Sequence, residues 1–148
     1  VASRFDGTVQ HIVVLAFLMS IVAGIGGNSG NQTMTLIIRA LALGQITSSN
    51  VQDLVRKELA VTSLIGLGGG LIAAVFAYVI SGSASLGAVM MASMFINMLV
   101  GAGMGMLVPM VREKMGKDPA VGSSVLLTFA TDTFGFLIFL GLATIFLL

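Results

Sequence analysis

Long uncharged runs separated by short charged clusters dominate the pattern of the chain. Residues 7–38 carry no Asp, Glu, Lys or Arg, and neither do residues 59–111; residues 119–148 carry only Asp132. A bilayer core needs about 20 apolar residues per helix. The first run therefore predicts one span and the second, 53 residues long, predicts two. Ser81-Gly82-Ser83-Ala84-Ser85 is the only small, polar stretch in that second run and marks its turn. Four helices follow, near 10–36, 58–80, 86–110 and 120–147, an all-α polytopic membrane domain.

Composition agrees with this pattern. Of 148 residues, 57% are hydrophobic and 9% charged, against roughly 25% charged in a soluble domain. Mean hydropathy is +1.08. Thirteen formal charges cannot cover the exterior of a soluble protein, so a soluble enzyme and a disordered chain are excluded. A net charge of +1 offers a phosphate backbone no basic face, so nucleic acid is excluded as a partner. Without cysteine there is no disulfide framework.

Lys and Arg set the orientation. Arg39, Arg56 and Lys57 follow the first span, and Arg112, Lys114 and Lys117 follow the third. The loops 39–58 and 111–119 are thus expected in the cytoplasm, with both chain ends outside. An even number of spans entered from outside, in a chain beginning at Val1, leads us to expect a preceding helix.

Span one holds Gly24-Ile25-Gly26-Gly27-Asn28-Ser29-Gly30-Asn31-Gln32-Thr33. Amides unpaired in hydrocarbon cost several kcal/mol each, so this stretch faces other helices or water. At helical spacing Ser20, Gly24, Gly27, Asn31 and Thr35 share one face. Gly26-x-x-x-Gly30 also reads as a small-residue packing motif, as do Gly66-x-x-x-Gly70 and Gly101-x-x-x-Gly105, the last extending a stripe of Ser93 and Asn97. Met90, Met91, Met94 and Met98 are expected to fill gaps between helices. His11, alone near the outer interface, is no zinc site.

Span four carries Asp132, about 12 residues and so ~18 Å from its cytoplasmic end. An Asp at the centre of a span costs about 2.5–3.5 kcal/mol on insertion scales. The surrounding Leu, Ile, Phe and Val outweigh that cost, but no Lys or Arg lies in any span to pair with it. A carboxylate in such a place needs a proton or a mobile cation; a structural acid is the competing reading. Ser124, Thr128 and Asp132 step by four along one face. Carboxylate, amide, hydroxyl and carbonyl oxygens suit hard ions such as Mg²⁺ or Ca²⁺. One Asp per chain is sparse for a bare ion, whereas two Asp132 groups meeting across a two-fold dimer axis favour a divalent ion. Mg²⁺ releases water reluctantly, which makes a hydrated guest the natural one.

These residues resemble the transmembrane domain of the MgtE family of magnesium channels. Gly26-Gly27-Asn28-Ser29-Gly30-Asn31-Gln32-Thr33-Met34-Thr35 with Arg39-Ala40-Leu41-Ala42 is similar to the family's GGN[TS]GNQ signature and its sequel, and Lys57-Glu58, Asp118-Pro119-Ala120 and Thr131-Asp132-x-x-Gly135 match further landmarks. The resemblance implies a five-helix domain of which residues 1–148 are the last four helices, a homodimer in the lipid bilayer of a bacterial plasma membrane, and an ion path between subunits. It implies that Asp132 is the selectivity-site acid, that the carbonyls of Thr128 and Gly24 help hold the waters of Mg²⁺, and that Asn31 and Thr35 line a second site. Ser124 stands where some relatives have Asn, and Asn28 and Ser20 complete the lining. Mn²⁺, Co²⁺ and Ca²⁺ are further candidate cargo, and the cytosolic regulatory domains of the family are absent from these residues. Three functions fit the chain: a passive Mg²⁺ channel, a proton- or Na⁺-coupled cation carrier built on a helix broken in its glycine-rich stretch, and a membrane scaffold. Without a Ser-His pair, a His cluster or paired carboxylates in the spans, an enzyme is not expected.

Overall fold

The computed structural model describes residues 6–147, with side chains from Val13 onward. The side chain of His11, singled out above, lies outside that range. Four helices follow one another: α1 (Asp6–Ala42), α2 (Val51–Ser81), α3 (Ala84–Lys114) and α4 (Ser123–Leu147). All four are long and apolar enough to cross a membrane, and no strand occurs among the described residues.

The helices outrun the expected spans. α1 continues past Arg39 to Ala42, and α2 starts at Val51, so Asp53, Arg56, Lys57 and Glu58 ride on its first turns rather than in a loop. Apolar runs mark where lipid ends, not where the helix ends. Arg, Lys and Glu are good helix formers and carry the coil into the headgroup layer. At 37 residues, α1 is about 55 Å long, well beyond a ~30 Å hydrocarbon core. α3 runs through Pro109 to Lys114, although the proline ring gives the Gly105 carbonyl no N–H partner. At its start α4 loses the three expected residues 120–122, where Gly122 takes a left-handed φ of 73°. The turn expected at Ser81–Ser85 shrinks to two residues. Gly82 caps α2 at φ 67°, donating its N–H to the Tyr78 carbonyl, and Ser83 caps α3 by accepting from the Leu86 N–H.

α3 is the axis of the bundle. It packs on α1, α2 and α4; α1 and α4 also pack on each other, whereas α2 leans almost entirely on α3. Because lipid is as apolar as leucine, helices adhere here by close van der Waals fit rather than by hydrophobic drive. The fit differs between the two ends. Toward the 82–83 turn, Leu18, Val22, Ala73, Ala77, Met90, Met94, Met98 and Phe139 form an interdigitated core, and the expectation of gap-filling methionines holds there. Toward the opposite end the helices meet through glycine. A Cβ on Gly30 would stand 2.8 Å from the Gly101 carbonyl oxygen, one on Gly105 would stand 2.6 Å from the Gly30 carbonyl oxygen, and Gly101 backs onto the Gly26 carbonyl. Gly66 and Gly70 play the same part for α2 against Phe95 and Met91. Backbone contact of this kind leaves no room for any side chain.

Candidate functional site

α1 and α4 run antiparallel. Ala23 lies against Gly135, Gly27 against Thr131, and Asn31 against Ser124. The register places Asp132 between the levels of Gly24 and Asn28, beside the glycine-rich run. Asp132 is the tenth residue of α4, hence about 14 Å from the helix start; the later start of α4 shortens the ~18 Å expected. In the same register Arg39 lies near the level of Pro119, about 20 Å away along the axis, so no basic side chain of the four helices shares the level of Asp132.

The α1 stripe that faces away from the bundle differs from the expected one by a single member. Ser20, Gly24, Asn28 and Thr35 are exposed and Asn31 is half-buried, but Gly27 is buried, its Cβ direction blocked 3.2 Å away by Thr131 Oγ1. The stripe thus steps through Asn28. Around Gly24 there is open space, and a Cβ placed on it would meet nothing within 4 Å. On α4, Ser124 and Thr128 are exposed and Asp132 is half-buried. The two stripes meet where Ser124 Oγ donates to Asn31 Oδ1 at 3.2 Å. Together they form one polar seam open to the outside of the chain.

The seam is rich in acceptors. Ser20 Oγ donates to the Ala16 carbonyl at 3.0 Å, Thr35 Oγ1 to the Asn31 carbonyl at 2.8 Å, and Ser124 to Asn31. A hydroxyl has one proton and two lone pairs, so each presents oxygen electrons outward with its proton already engaged. Thr131, fully buried behind Asp132, donates to the carbonyls of Leu127 at 3.0 Å and Thr128 at 3.2 Å, and the latter is a carbonyl expected to face the ion. No group of three or more His, Cys, Asp or Glu side chains placed to hold a metal ion occurs among the described residues, so those residues of one chain form no carboxylate or imidazole cage for a stripped ion. The seam suits a cation that keeps its waters, because bound water turns its hydrogens outward to acceptors.

Two supports for the seam escaped the sequence reading. Asn97, fully buried on α3, donates from Nδ2 to the Val22 carbonyl at 2.9 Å. Its amide fills the space that side chains on Gly26 and Gly135 would need, and so sets the spacing of α1 and α4. Asn97 Oδ1 and Ser93 Oγ have no partner. On the other side Thr33 Oγ1 reaches Glu58 Oε2 at 3.5 Å, long for a hydrogen bond, and links the polar run to the start of α2. A lone amide in 53 uncharged residues was the visible signal for Asn97; its partner 75 positions away was not.

Four membrane-length helices with an outward polar seam centred on an acid define a polytopic membrane domain. The MgtE family model, described as divalent cation transporter, matches residues 19–142, and the chain belongs to that family. It is 31% identical to the magnesium transporter MgtE of Bacillus subtilis (strain 168) over 99% of its length, 30% identical to that of Enterococcus faecalis over 98%, and 32% identical to that of Thermus thermophilus over 97%. The chain spans about a third of the length of each, 33%, 32% and 32% respectively.

Proposed function

We propose that this chain is the conducting domain of a Mg²⁺ channel in which two copies set their polar seams face to face around hydrated ions. The observation that carries the reading is the seam itself. Ser20, Gly24, Asn28 and Thr35 on α1, with Ser124 and Thr128 on α4, are exposed, and Asn31 and Asp132 are half-buried among them, while Leu, Ile, Val and Phe make up most of the other exposed surface of the spans. Polar groups are not left against lipid tails. A second copy and a column of water cover them at once.

Two Asp132 carboxylates brought together supply two negative charges, the complement of one divalent cation, and their mutual repulsion is relieved by it. The carbonyls of Gly24 and Thr128 and the oxygens of Asn31 and Thr35 then receive the hydrogens of the ion's water shell. Mg²⁺, which holds its waters most firmly, loses least in such a passage; Mn²⁺, Co²⁺ and Ca²⁺ are the competing guests. Continuity of α1 from Asp6 to Ala42 through all its glycines favours a channel over a carrier, which would use a break there. The passage forms and breaks no covalent bond, so the domain is not an enzyme.

The test is Mg²⁺ uptake by proteoliposomes together with calorimetric binding, for the wild type and Asp132→Asn. We expect at least a tenfold loss of binding and the loss of uptake, with the same melting temperature in the absence of Mg²⁺. Equal binding by both proteins would make Asp132 a structural acid and end the reading. Flux that follows membrane voltage, with no countermoving proton or Na⁺, separates the channel from the carrier.

A further inference from the structure

Away from the seam, the end of α3, the linker behind it and the start of α4 enclose a cleft of about 320 Å³. Leu107, Val111, Met115 and Leu126 line it with exposed apolar surface, and Arg112 and Lys117 stand in the same wall. We propose that this cleft seats one anionic diacylglycerophospholipid, with an acyl chain along the apolar wall and the phosphate between Arg112 and Lys117.

Three observations carry the assignment. The first is depth. The uncharged run of α3 ends at Val111 and the charged run begins at Arg112, so the apolar wall lies at the level of acyl chains and the two cations at the level of lipid phosphates. The second is charge complementarity. Glu113 and Asp118 are neighbours in sequence, yet neither lines the cleft; Asp118 Oδ1 is engaged by the Ala120 N–H at 2.9 Å. Two cations therefore face the cleft without an anion to neutralise them. The third is preorganisation. Arg112 Nε donates to the Asp118 carbonyl at 3.2 Å, which fixes the side chain against the linker and leaves its terminal amino groups to grip a phosphate in the forked geometry that guanidinium favours.

Two other clefts lack this combination. The one between the end of α1 and the start of α2 sets Asp53 beside Lys57, so its charges cancel. The one at the opposite end, between Ser85, Ala92, Leu142 and Phe146, has no charged side chain.

The experiment measures dissociation constants of phosphatidylglycerol and phosphatidylcholine from the purified full chain in a zwitterionic detergent, by native mass spectrometry. A juxtamembrane cation contributes about 1 kcal/mol toward an anionic lipid, roughly a fivefold change. We expect the wild type to prefer phosphatidylglycerol by about 25-fold, Lys117→Gln to keep about a fivefold preference, and Arg112→Gln/Lys117→Gln to show none. Arg56→Gln, on exposed α2 surface, keeps the full preference. Lys117 is exposed, so its variant reports on the cleft even where replacing Arg112 unfolds the linker. Equal binding of the two lipids by the wild type overturns the proposal, and so does a double variant that retains the preference. Displacement of the lipid by equimolar glycerophosphoglycerol, which has no acyl chains, overturns it as well and reduces the cleft to a simple phosphate site.

Discussion

Ser124 Oγ donates to Asn31 Oδ1 across 3.2 Å, joining residues 93 positions apart. That bond joins the α4 stripe to the α1 stripe, beside the Gly27–Thr131 and Ala23–Gly135 contacts that align the same two helices. In a double-mutant cycle of Asn31→Ala and Ser124→Ala, we expect a coupling of about 0.5–1.5 kcal/mol, read by denaturant titration in detergent. Additive effects would show that the two helices are held in register by packing alone.

The glycines of α1 divide into two kinds, and alanine distinguishes them. Gly30→Ala drives a methyl group to 2.8 Å from a carbonyl of α3, an overpacking expected to destabilise by about 1–3 kcal/mol. Gly24→Ala meets nothing within 4 Å and should change stability by less than about 0.5 kcal/mol, while lowering Mg²⁺ affinity if the seam conducts. Thermal melts with and without Mg²⁺ check both outcomes.

Asn97 and Gly135 form a second coupled pair. A Cβ on Gly135 stands 2.8 Å from Asn97 Nδ2 and 3.1 Å from Ala23 Cα. Gly135→Ala alone should therefore be severe, and adding Asn97→Ala should recover part of the loss but not all of it, because the Ala23 backbone remains in the way. Full additivity in the melting temperatures would count against the role given to Asn97 as the spacer of α1 and α4.

The chain has no cysteine, which makes the proposed dimer open to direct test. Thr128→Cys, on the seam, is expected to form an oxidised dimer in membranes, while Ile72→Cys, 74% exposed on the far side of the bundle, is not. Reversal of that pattern on a reducing-agent-free gel would move the contact between copies to α2.

Most of the architecture was legible because membrane insertion writes itself in long uncharged runs; all four spans and the turn at Gly82 were marked that way. Helix ends were not legible, since Asp53 to Glu58 are compatible with helix and loop alike. The outward-facing stripe of α1 was legible to within one residue. Gly27 and Asn28 lie 100° apart on the wheel, and sequence spacing alone cannot say which flank α4 will cover; the small side of Gly27 is the one that admits Thr131. The bond from Asn97 to Val22 was illegible for another reason: its two ends belong to helices brought together only by the parallel crossing of α1 and α3.

The hydroxyls of Ser20, Thr35 and Thr131 each point their hydrogen at a backbone carbonyl of their own helix. A relay of the Grotthuss kind requires every member to take a proton on one side and release one on the other, and an amide oxygen locked in a helix passes nothing on. These three hydroxyls are therefore poor members of such a relay, and in the proposed pore any proton carried by a side chain falls to the Asp132 carboxylate.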